Sequence, residues 1–321
     1  MRGNNEMSLK DNCGIPLLNL RISVTQRCNN SCSYCHKEGE VQLANVSAEK
    51  MTLQEIVRIA KIAVNLGIGR IKLTGGEPLM RRDLPGIVRA ISRLPGLKDL
   101  SLTTNGLLLV DDMAKILYGS GLKRVNISLP SLNAETYRKL TGGRLEQALG
   151  GVQAAIEAGF CPVKLNMVVL KDVNVGDIPG MIGYAAKNGL ILQLIELDPI
   201  NVSDKYYSTH HRSLEEIEQM LQQKAVEVEK RPFMHNRLIY HLSNVNVEVV
   251  HPIENSDFCM HCTRIRVTSD GKLKPCLMRN DNLTDILTPL REGASDEQLK
   301  QLFVHANTLR EPFNKEIASA H

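Results

Sequence analysis

Six short apolar segments alternate with longer amphipathic stretches between residues 18 and 200, and this alternation constrains the fold most. The segments lie at residues 18–24, 70–73, 99–103, 124–129, 163–170 and 190–197. Repeated strand–helix units predict a parallel sheet with right-handed crossovers, because parallel neighbours require a long connection. The chain lacks a dinucleotide glycine fingerprint, so an α/β fold with a partial (βα)6 barrel of the TIM type is favoured over a doubly wound sheet.

The pattern changes after Pro199. Residues 200–212 are predicted to form a loop, and a helix is predicted over 213–224. Alternating apolar residues then predict antiparallel strands, at 226–228, 238–241 and 245–250. These elements indicate a C-terminal α+β extension. The predicted regions are an N-terminal segment (1–17), the barrel (18–230) and the C-terminal region (231–321).

Charge and hydropathy exclude several functions. Lys and Arg total 39 against 35 for Asp and Glu, and a net charge of +4 is too small to indicate a nucleic-acid partner. No apolar stretch approaches the ~20 residues of a transmembrane helix, and the first residues contain no apolar signal-peptide core. We therefore expect a cytoplasmic protein with no membrane partner. Disulfides are rare in that compartment, so the eight cysteines need another explanation.

Cys28, Cys32 and Cys35 form a C-x3-C-x2-C pattern in the loop after the first predicted strand. Thiolates at this density bind soft metals. Three thiolates leave one iron of a four-iron cluster without a protein ligand, so that iron can bind a small molecule. A zinc site completed by His36 is the alternative, because structural zinc usually has four ligands.

A second group of three cysteines lies near the end of the chain, at Cys259, Cys262 and Cys276. Taken alone, this group suits a zinc ribbon completed by His261 or His251 equally well. Beside the first group, a second iron–sulfur cluster is favoured. Cys13 and Cys161 have no cysteine neighbour in sequence and are interpreted as ordinary thiols.

Polar residues occur where the predicted strands end, which is where parallel barrels place their functional groups. The segment TGGEP at 74–78 follows the second strand; its glycines allow close approach to a ligand, and Glu77 can accept a hydrogen bond from an amino group. Lys164 is predicted to face the barrel interior, where a ligand is favoured over a structural ion pair as its partner. Gln193 and Glu196 lie three residues apart, so at most one is predicted to line the interior.

Two arginines follow the second cysteine group directly. Arg264 and Arg266 lie on one face of a predicted strand, two and four residues after Cys262. Guanidinium groups bind phosphate in a bidentate way, so this pair predicts an anion clamp beside the metal site. The chain has no P-loop motif, so a nucleotide would not be held in that manner.

These motifs resemble those of the GTP 3',8-cyclases, the radical S-adenosylmethionine (SAM) family that catalyses the first step of molybdenum cofactor biosynthesis. The similar segments are LRISVTQRCNNSCSYC, IKLTGGEPLMRRDL, TTNG, RVNISL, VKLNMVV, LIEL and CMHCTRIRVTSDGKLKPCL. The last segment is the most specific, because it separates this family from other radical SAM enzymes with two clusters. The resemblance implies a radical SAM partial barrel, two [4Fe-4S] clusters and SAM as cofactors, and GTP as the substrate.

The resemblance also implies a role for particular residues. The first cluster would be held by Cys28, Cys32 and Cys35, and the second by Cys259, Cys262 and Cys276. Contacts to SAM would come from Tyr34, Gly76, Ser128 and Asp198. Contacts to GTP would come from Arg21, Lys72, Thr103, Lys164, Arg264 and Arg266. No side chain would act as a general acid or base in the hydrogen abstraction.

The chain departs from the family pattern at several positions. Lys72 and Gln193 stand where arginine is usual, Pro130 replaces an aspartate, and Asp198 replaces a methionine that contacts SAM. The sequence ends in EPFNKEIASAH, without the Gly-Gly tail of many relatives. These departures have two interpretations. Either the chain belongs to a branch of the family with a short C-terminal tail, or it binds its substrate differently.

The implied reaction begins with reductive cleavage of SAM to a 5'-deoxyadenosyl radical, which takes hydrogen from C3' of GTP. The C3' radical then attacks C8 of guanine, giving (8S)-3',8-cyclo-7,8-dihydroguanosine 5'-triphosphate. The implied partners are an electron donor and a cyclic pyranopterin monophosphate synthase, and a homodimer is compatible with the resemblance. The alternatives are a radical SAM enzyme acting on another anionic substrate and a non-catalytic metal-cluster module.

Overall fold

The computed structural model describes residues 9–41, 50–253 and 255–313. Part of the predicted N-terminal segment, residues 1–8, and most of the C-terminal tail, residues 314–321, lie outside the described residues. Within the described part, no helix combines the length and the apolar composition needed to cross a bilayer.

One sheet of twelve strands organises the described residues. In chain order the strands are Asn19–Ser23 (β1), Arg70–Thr74 (β2), Asp99–Thr104 (β3), Arg124–Ser128 (β4), Val163–Val169 (β5), Ile191–Glu196 (β6), Glu227–Arg231 (β7), Arg237–His241 (β8), Asn246–Val250 (β9), Arg264–Val267 (β10), Lys272–Lys274 (β11) and Thr284–Asp285 (β12). The spatial order is β12-β11-β10-β1-β2-β3-β4-β5-β6-β9-β8-β7.

Eleven α-helices accompany these strands in the described part of the chain. They are Leu53–Asn65 (α1), Leu84–Ser92 (α2), Asp111–Gly119 (α3), Ala134–Thr141 (α4), Leu145–Glu157 (α5), Ile178–Lys187 (α6), Asp204–His210 (α7), Glu215–Lys224 (α8), Ser256–Met260 (α9), Leu287–Arg291 (α10) and Asp296–Thr308 (α11). A capping box fixes the start of α1: the Thr52 hydroxyl accepts from the Glu55 amide at 3.2 Å, and the Glu55 carboxylate accepts from the Thr52 amide at 2.7 Å.

The six predicted strand–helix units are confirmed. β1 to β6 pair in sequence order and are all parallel, and each starts and ends within two residues of its predicted segment. A run of six parallel strands in sequence order agrees with the predicted partial TIM-type barrel. The C-terminal strands extend both edges of this unit, because β10 pairs with β1 and β9 pairs with β6, in both cases in parallel.

One prediction for the C-terminal half is wrong. Residues 200–212 were expected to be a loop, yet they contain α7. Ser203 caps this helix by accepting a hydrogen bond from the Tyr206 amide at 3.1 Å, and a serine cap is the local signal that starts a helix here. The antiparallel strands are confirmed, since β8 pairs antiparallel with both β7 and β9.

Side-chain alternation divides the sheet into an apolar outer face and a polar inner face. On β1, Leu20 and Ile22 are fully buried in the core that packs against the helices, while Arg21 points to the inner face. On β2 the same alternation buries Ile71 and turns Lys72 inward. Parallel strands are normally apolar on both faces, so the charged inner face indicates a ligand-binding interior.

Candidate active site

The inner face of the barrel encloses a cavity of about 730 Å³. Every residue that the family resemblance implies as a cluster ligand, a SAM contact or a GTP contact lines this cavity. The parallel register brings them together: Arg21 lies beside Lys72 on one side and beside Arg266 on the other. Residues far apart in sequence therefore meet in one enclosed space.

The two cysteine groups both line this cavity. The first follows β1; in the second, Cys259 lies in α9 and Cys276 follows β11. None of these cysteines forms a disulfide. Burial, reinforced by the neighbouring Cys35 and Cys28, raises the pKa of Cys32 to about 12, so this group would give up its proton on binding a metal.

Among the described residues, no three His, Cys, Asp or Glu side chains are grouped as ligands of a single metal ion. The histidines named for the zinc alternative have other partners. His36 accepts from the Glu38 amide at 2.9 Å, His251 pairs with Glu196, and His261 contacts Asn236 at 2.8 Å.

Two helices hold the first cysteine loop. The amides of Ser31 and Ser33 donate to the carbonyls of Thr141 and Leu140, at the end of α4, at 2.9 and 3.0 Å. The hydroxyl of Ser33 also meets that of Tyr206, in α7, at 2.8 Å. The helix that the sequence analysis missed thus helps to position the loop.

The TGGEP turn packs against the same loop. The amide of Gly76 donates to the Thr25 carbonyl at 2.7 Å, and a Cβ atom at Gly76 would lie 2.2 Å from the Arg27 carbonyl oxygen. The Glu77 carboxylate accepts from the Thr104 hydroxyl and the Asn105 amide, each at 2.7 Å. Burial raises the pKa of Glu77 to about 7. The close approach of the Arg27 carbonyl requires glycine at position 76, whether or not Gly76 also contacts a ligand.

A buried carboxylate lies among the arginines. Glu38 accepts from the Thr74 hydroxyl at 2.8 Å, and its oxygens lie 3.3 Å from Arg21 Nη1 and 3.7 Å from Arg266 Nε. Although burial opposes its ionisation, Arg21, His36 and Arg266 lower the pKa of Glu38 to about 2. The turn that presents Glu38 is strained, because Lys37 and Glu38 have φ values of 49° and 53°.

Glu38 does not satisfy every donor of the cations around it. Arg264 makes no hydrogen bond or ion pair within the described residues, and the buried Nε atoms of Arg21 and Arg266 donate to no acceptor there. Burial, together with repulsion from Arg21 and Arg264, holds the pKa of Lys72 well below its usual range. Unsatisfied buried donors on cations fit an anionic ligand with several acceptor oxygens.

Lys164 has a protein partner. Its ammonium group pairs with Glu248 of β9, a carboxylate that also accepts from Gln193 at 3.1 Å and from Arg231 at 3.2 Å. Burial lowers the pKa of Lys164 to about 8 despite this pairing. The structural ion pair that the sequence analysis ranked second is therefore present, and GTP binding by Lys164 stays a prediction.

The prediction that at most one of Gln193 and Glu196 lines the interior is wrong. Both line the cavity, because Glu196 is the last residue of β6 and the cavity extends beyond the end of the sheet. There Glu196 meets His211 Nε2 at 2.6 Å and His251 Nδ1 at 2.7 Å. A second carboxylate, from Glu218, lies 2.7 Å from His251 Nε2.

Sequence reasoning missed the residues that balance charge in the cavity. Glu38 follows the cysteine motif by three residues. Glu248 stands among the valines of β9, at positions 247, 249 and 250, and this charged residue in a mostly apolar strand is the signal that could have identified it. Arg237 lines the cavity beside Glu248, with 3.7 Å between Nη1 and the carboxylate. His235 is also buried in the wall. Cys13 and Cys161 are exposed and lie outside the cavity lining.

Two family models match the chain: the Radical SAM superfamily over residues 22–185 and Molybdenum Cofactor Synthesis C over residues 190–316. A curated relative from Methanococcus aeolicus, named "Probable GTP 3',8-cyclase", is 44% identical over 311 residues, covering 96% of this chain and all of the relative. A relative of the same name from Thermococcus kodakarensis is 46% identical over 314 residues, with 96% of this chain and 100% of the relative covered.

Solved structures show the same fold at low identity. Streptococcus suis SuiB bound to the precursor peptide SuiA has a TM-score of 0.61 and 19% identity, over 83% of this chain and 61% of that one. The structure of anSMEcpe with bound AdoMet has a TM-score of 0.55 and 17% identity, over 82% of this chain and 75% of that one.

The cavity, its two cysteine groups and these matches place the chain in the radical SAM superfamily and, within it, in the family of GTP 3',8-cyclases. Membership of the superfamily implies a [4Fe-4S] cluster and SAM. The cyclase family fits two clusters, and two groups of three unbridged thiols at one cavity suit clusters that each leave one iron open.

The contact at Gly76 leads to a first prediction. Gly76→Ala should shift the Arg27–Cys28 backbone, lower the free energy of unfolding by about 2 kcal/mol or more, and reduce the iron bound after anaerobic reconstitution. Gly183→Ala is the matched control, because a Cβ at Gly183 of α6 meets nothing within 4 Å. It should be neutral or stabilise the protein by up to about 1 kcal/mol. Equal iron content in both variants would contradict the steric argument.

The carboxylates around His251 lead to a second prediction. Against the effect of burial, Glu196 and Glu218 raise the pKa of His251 to about 9. A raised pKa stabilises the fold fully below the unfolded-state pKa of about 6.5, and this contribution is lost as the pH rises through about 9. His251→Gln should therefore destabilise the protein by about 1–3 kcal/mol at pH 6.

The difference between wild type and His251→Gln should shrink between pH 6.5 and 9 in denaturant titrations. His305→Gln, at an exposed position of α11, should match wild type throughout. A difference that grows with pH would show that the imidazole is not held charged by these carboxylates.

Proposed function

We propose that this chain is a radical SAM GTP 3',8-cyclase that converts GTP to (8S)-3',8-cyclo-7,8-dihydroguanosine 5'-triphosphate. The observation that carries the proposal is the shared cavity: two groups of three thiols and several cations with unused hydrogen-bond donors line the same space. A nucleoside triphosphate is the kind of substrate that supplies both the negative charge and a base. The family membership of the chain supports the same reaction.

We assign the first cluster to Cys28, Cys32 and Cys35, and the second to Cys259, Cys262 and Cys276. When bound, the first cluster and SAM would supply a carbon radical that abstracts hydrogen from the substrate. The chain itself keeps the cysteine loop in place through α4 and α7, as described above. Both cysteine groups line one cavity, which supports a site where SAM and GTP would meet.

SAM would lie beside the first cysteine group. Tyr34, Gly76, Ser128 and Asp198 line the cavity and are the proposed contacts. Burial raises the pKa of Tyr34 well above its usual range, so its phenol remains a neutral hydrogen-bond donor. Asp198 accepts from the Ile200 amide at 3.1 Å, which fixes its carboxylate at the cavity wall.

GTP would lie against the cationic wall. We propose that Arg264, Arg266 and Arg21 bind the triphosphate, with Lys72, Thr103 and Lys164 completing the contacts. Arg264 faces the cavity with no protein acceptor among the described residues, so binding it to phosphate breaks no existing bond. Arg21 and Arg266 are held by Glu38, and a phosphate would accept from their Nε–H groups, which make no hydrogen bond in the described part of the chain. The reaction requires that bound SAM and GTP fill this cavity and displace water and other hydrogen donors from it.

The reaction requires partners beyond GTP. We propose a one-electron donor for the first cluster and a cyclic pyranopterin monophosphate synthase that uses the product. The unbridged thiols of both cysteine groups require a reducing compartment, so we propose a cytoplasmic location.

Cluster content and product together test the proposal. Anaerobic reconstitution should give about eight irons per chain, four for each cysteine group, and incubation with SAM, dithionite and GTP should give the cyclised nucleotide. Replacing Cys259, Cys262 and Cys276 by Ala should keep SAM cleavage and abolish GTP conversion. Cys161→Ala, at an exposed cysteine outside the cavity, should retain both. About four irons in the wild type, or SAM cleavage with no change in GTP, would contradict the assignment.

The phosphate contacts can be tested separately. Arg264→Ala should weaken GTP binding about ten-fold or more, because a charge-assisted hydrogen bond contributes about 1.5–3 kcal/mol and ~1.4 kcal/mol is ten-fold. Guanosine, which lacks phosphates, should bind equally to both proteins. Removing a cation that has no partner should leave the free energy of unfolding unchanged or higher, as measured by denaturant titration.

Arg291→Ala is the matched control for Arg264→Ala, since Arg291 pairs with Glu55 on the surface at 2.7 Å. Its GTP affinity should equal that of the wild type. An equal loss of affinity for GTP and guanosine in Arg264→Ala would mean that the arginine braces the cysteine loop instead.

A further inference from the structure

The turn between β7 and β8 lies against α9, the helix that carries Cys259. Its residues His235 and Asn236 both have positive φ values, 64° and 52°. These φ values match the two central positions of a type I′ hairpin turn, and the Arg237 amide closes the turn by donating to the Met234 carbonyl at 3.4 Å. This turn faces the same cavity as the arginines and the second cysteine group.

The turn is anchored without the imidazole of His235. The backbone amide of His235 donates to the His261 carbonyl at 3.2 Å. The side-chain amide of Asn236 contacts the Asp257 carboxylate at 2.9 Å and His261 Nδ1 at 2.8 Å. A different side chain at position 235 could keep these contacts, so they do not explain a histidine there.

The imidazole of His235 stacks on a neighbouring ring and faces the cavity. It lies parallel to Phe258, with ring centroids 4.0 Å apart and an interplanar angle of 6°. His235 is only 6% exposed and lines the cavity, and its ring nitrogens bond to no residue in the described part of the chain. These nitrogens are therefore open to a hydrogen-bond partner that occupies the cavity.

The surroundings define the chemistry of that partner. Burial, together with Arg264, Arg237 and other nearby arginines, disfavours a charged imidazole at position 235. A neutral imidazole offers one donor and one acceptor in the plane of its ring. The chain has five phenylalanines and no tryptophan, and three of the five line this cavity, Phe233, Phe258 and Phe313. The wall beside the phosphate-binding arginines is therefore aromatic and suits a flat heterocycle.

We propose that His235 is a specificity-determining residue that recognises the purine base of the substrate nucleotide. Phe258 fixes the plane of the imidazole, and a ring nitrogen bonds the polar edge of the base, while Arg264 and Arg266 hold the phosphates. This inference rests on the proposed function, because it takes the ligand to be GTP. It adds a base contact that the cysteine groups and the arginines do not provide.

Binding measurements with the reconstituted protein test the inference. His235→Phe keeps a ring on Phe258 and removes both nitrogens. It should weaken GTP binding about five- to ten-fold, as expected for one lost hydrogen bond to a buried group. Binding of inorganic tripolyphosphate and of SAM should stay within about two-fold of the wild type, and the iron content should be unchanged.

Two further variants complete the experiment. His235→Gly accepts a positive φ without strain, so it covers the case in which His235→Phe does not fold, and added imidazole should restore part of its GTP affinity. His305→Phe, at an exposed position of α11, is the matched control and should bind like the wild type.

Three outcomes would overturn the inference. Unchanged GTP affinity in His235→Phe and His235→Gly would exclude a base contact. Parallel losses of GTP and tripolyphosphate affinity, or a fall in iron content, would mean that His235 braces the second cysteine group. A wild-type protein that binds tripolyphosphate but not GTP would overturn the proposed function as well. The first two outcomes would overturn only the role of His235.

Discussion

The carboxylate of Glu38 among the cavity's cations is the interaction on which the site depends. Buried cations repel one another and lose hydration, so several of them facing one lumen would destabilise the fold without a counter-charge. Glu38 lies between Arg21 and Arg266 and bonds to Thr74, yet one carboxylate offsets only part of the charge. An anionic substrate can neutralise the positive charge that Glu38 does not offset. In the absence of that substrate, the apolar packing of the helices on the outer face of the sheet stabilises the structure.

Both edges of the barrel are completed by the C-terminal region. β10 adds to β1 and brings Arg266 beside Arg21, while β9 adds to β6 and brings Glu248 to Lys164. The first cysteine loop and the second cysteine group are joined in this way through the sheet, although more than two hundred residues separate them in sequence. A cavity shared by two cluster sites follows directly from this topology, since the added strands continue the same inner face.

Turns with positive φ values lie beside each cysteine group. The turn at Lys37 and Glu38 follows the first group, and the turn at His235 and Asn236 packs on the helix of the second. Both turns line the cavity, where they contribute the carboxylate of Glu38 and the imidazole of His235. The second turn has the φ values of a type I′ hairpin turn, so a local backbone geometry suited to the hairpin also presents an imidazole to the cavity.

Periodicity and spacing by themselves determined much of this protein. The six parallel strands, the helix after Thr52, both cysteine groups and the arginines after Cys262 follow from local patterns, because a strand, a cap or a metal motif is encoded by adjacent residues. Only the tertiary structure decided which cations Glu38 and Glu248 pair with. Their roles depend on which strands become neighbours, and that pairing is a property of the whole sheet that no local pattern contains.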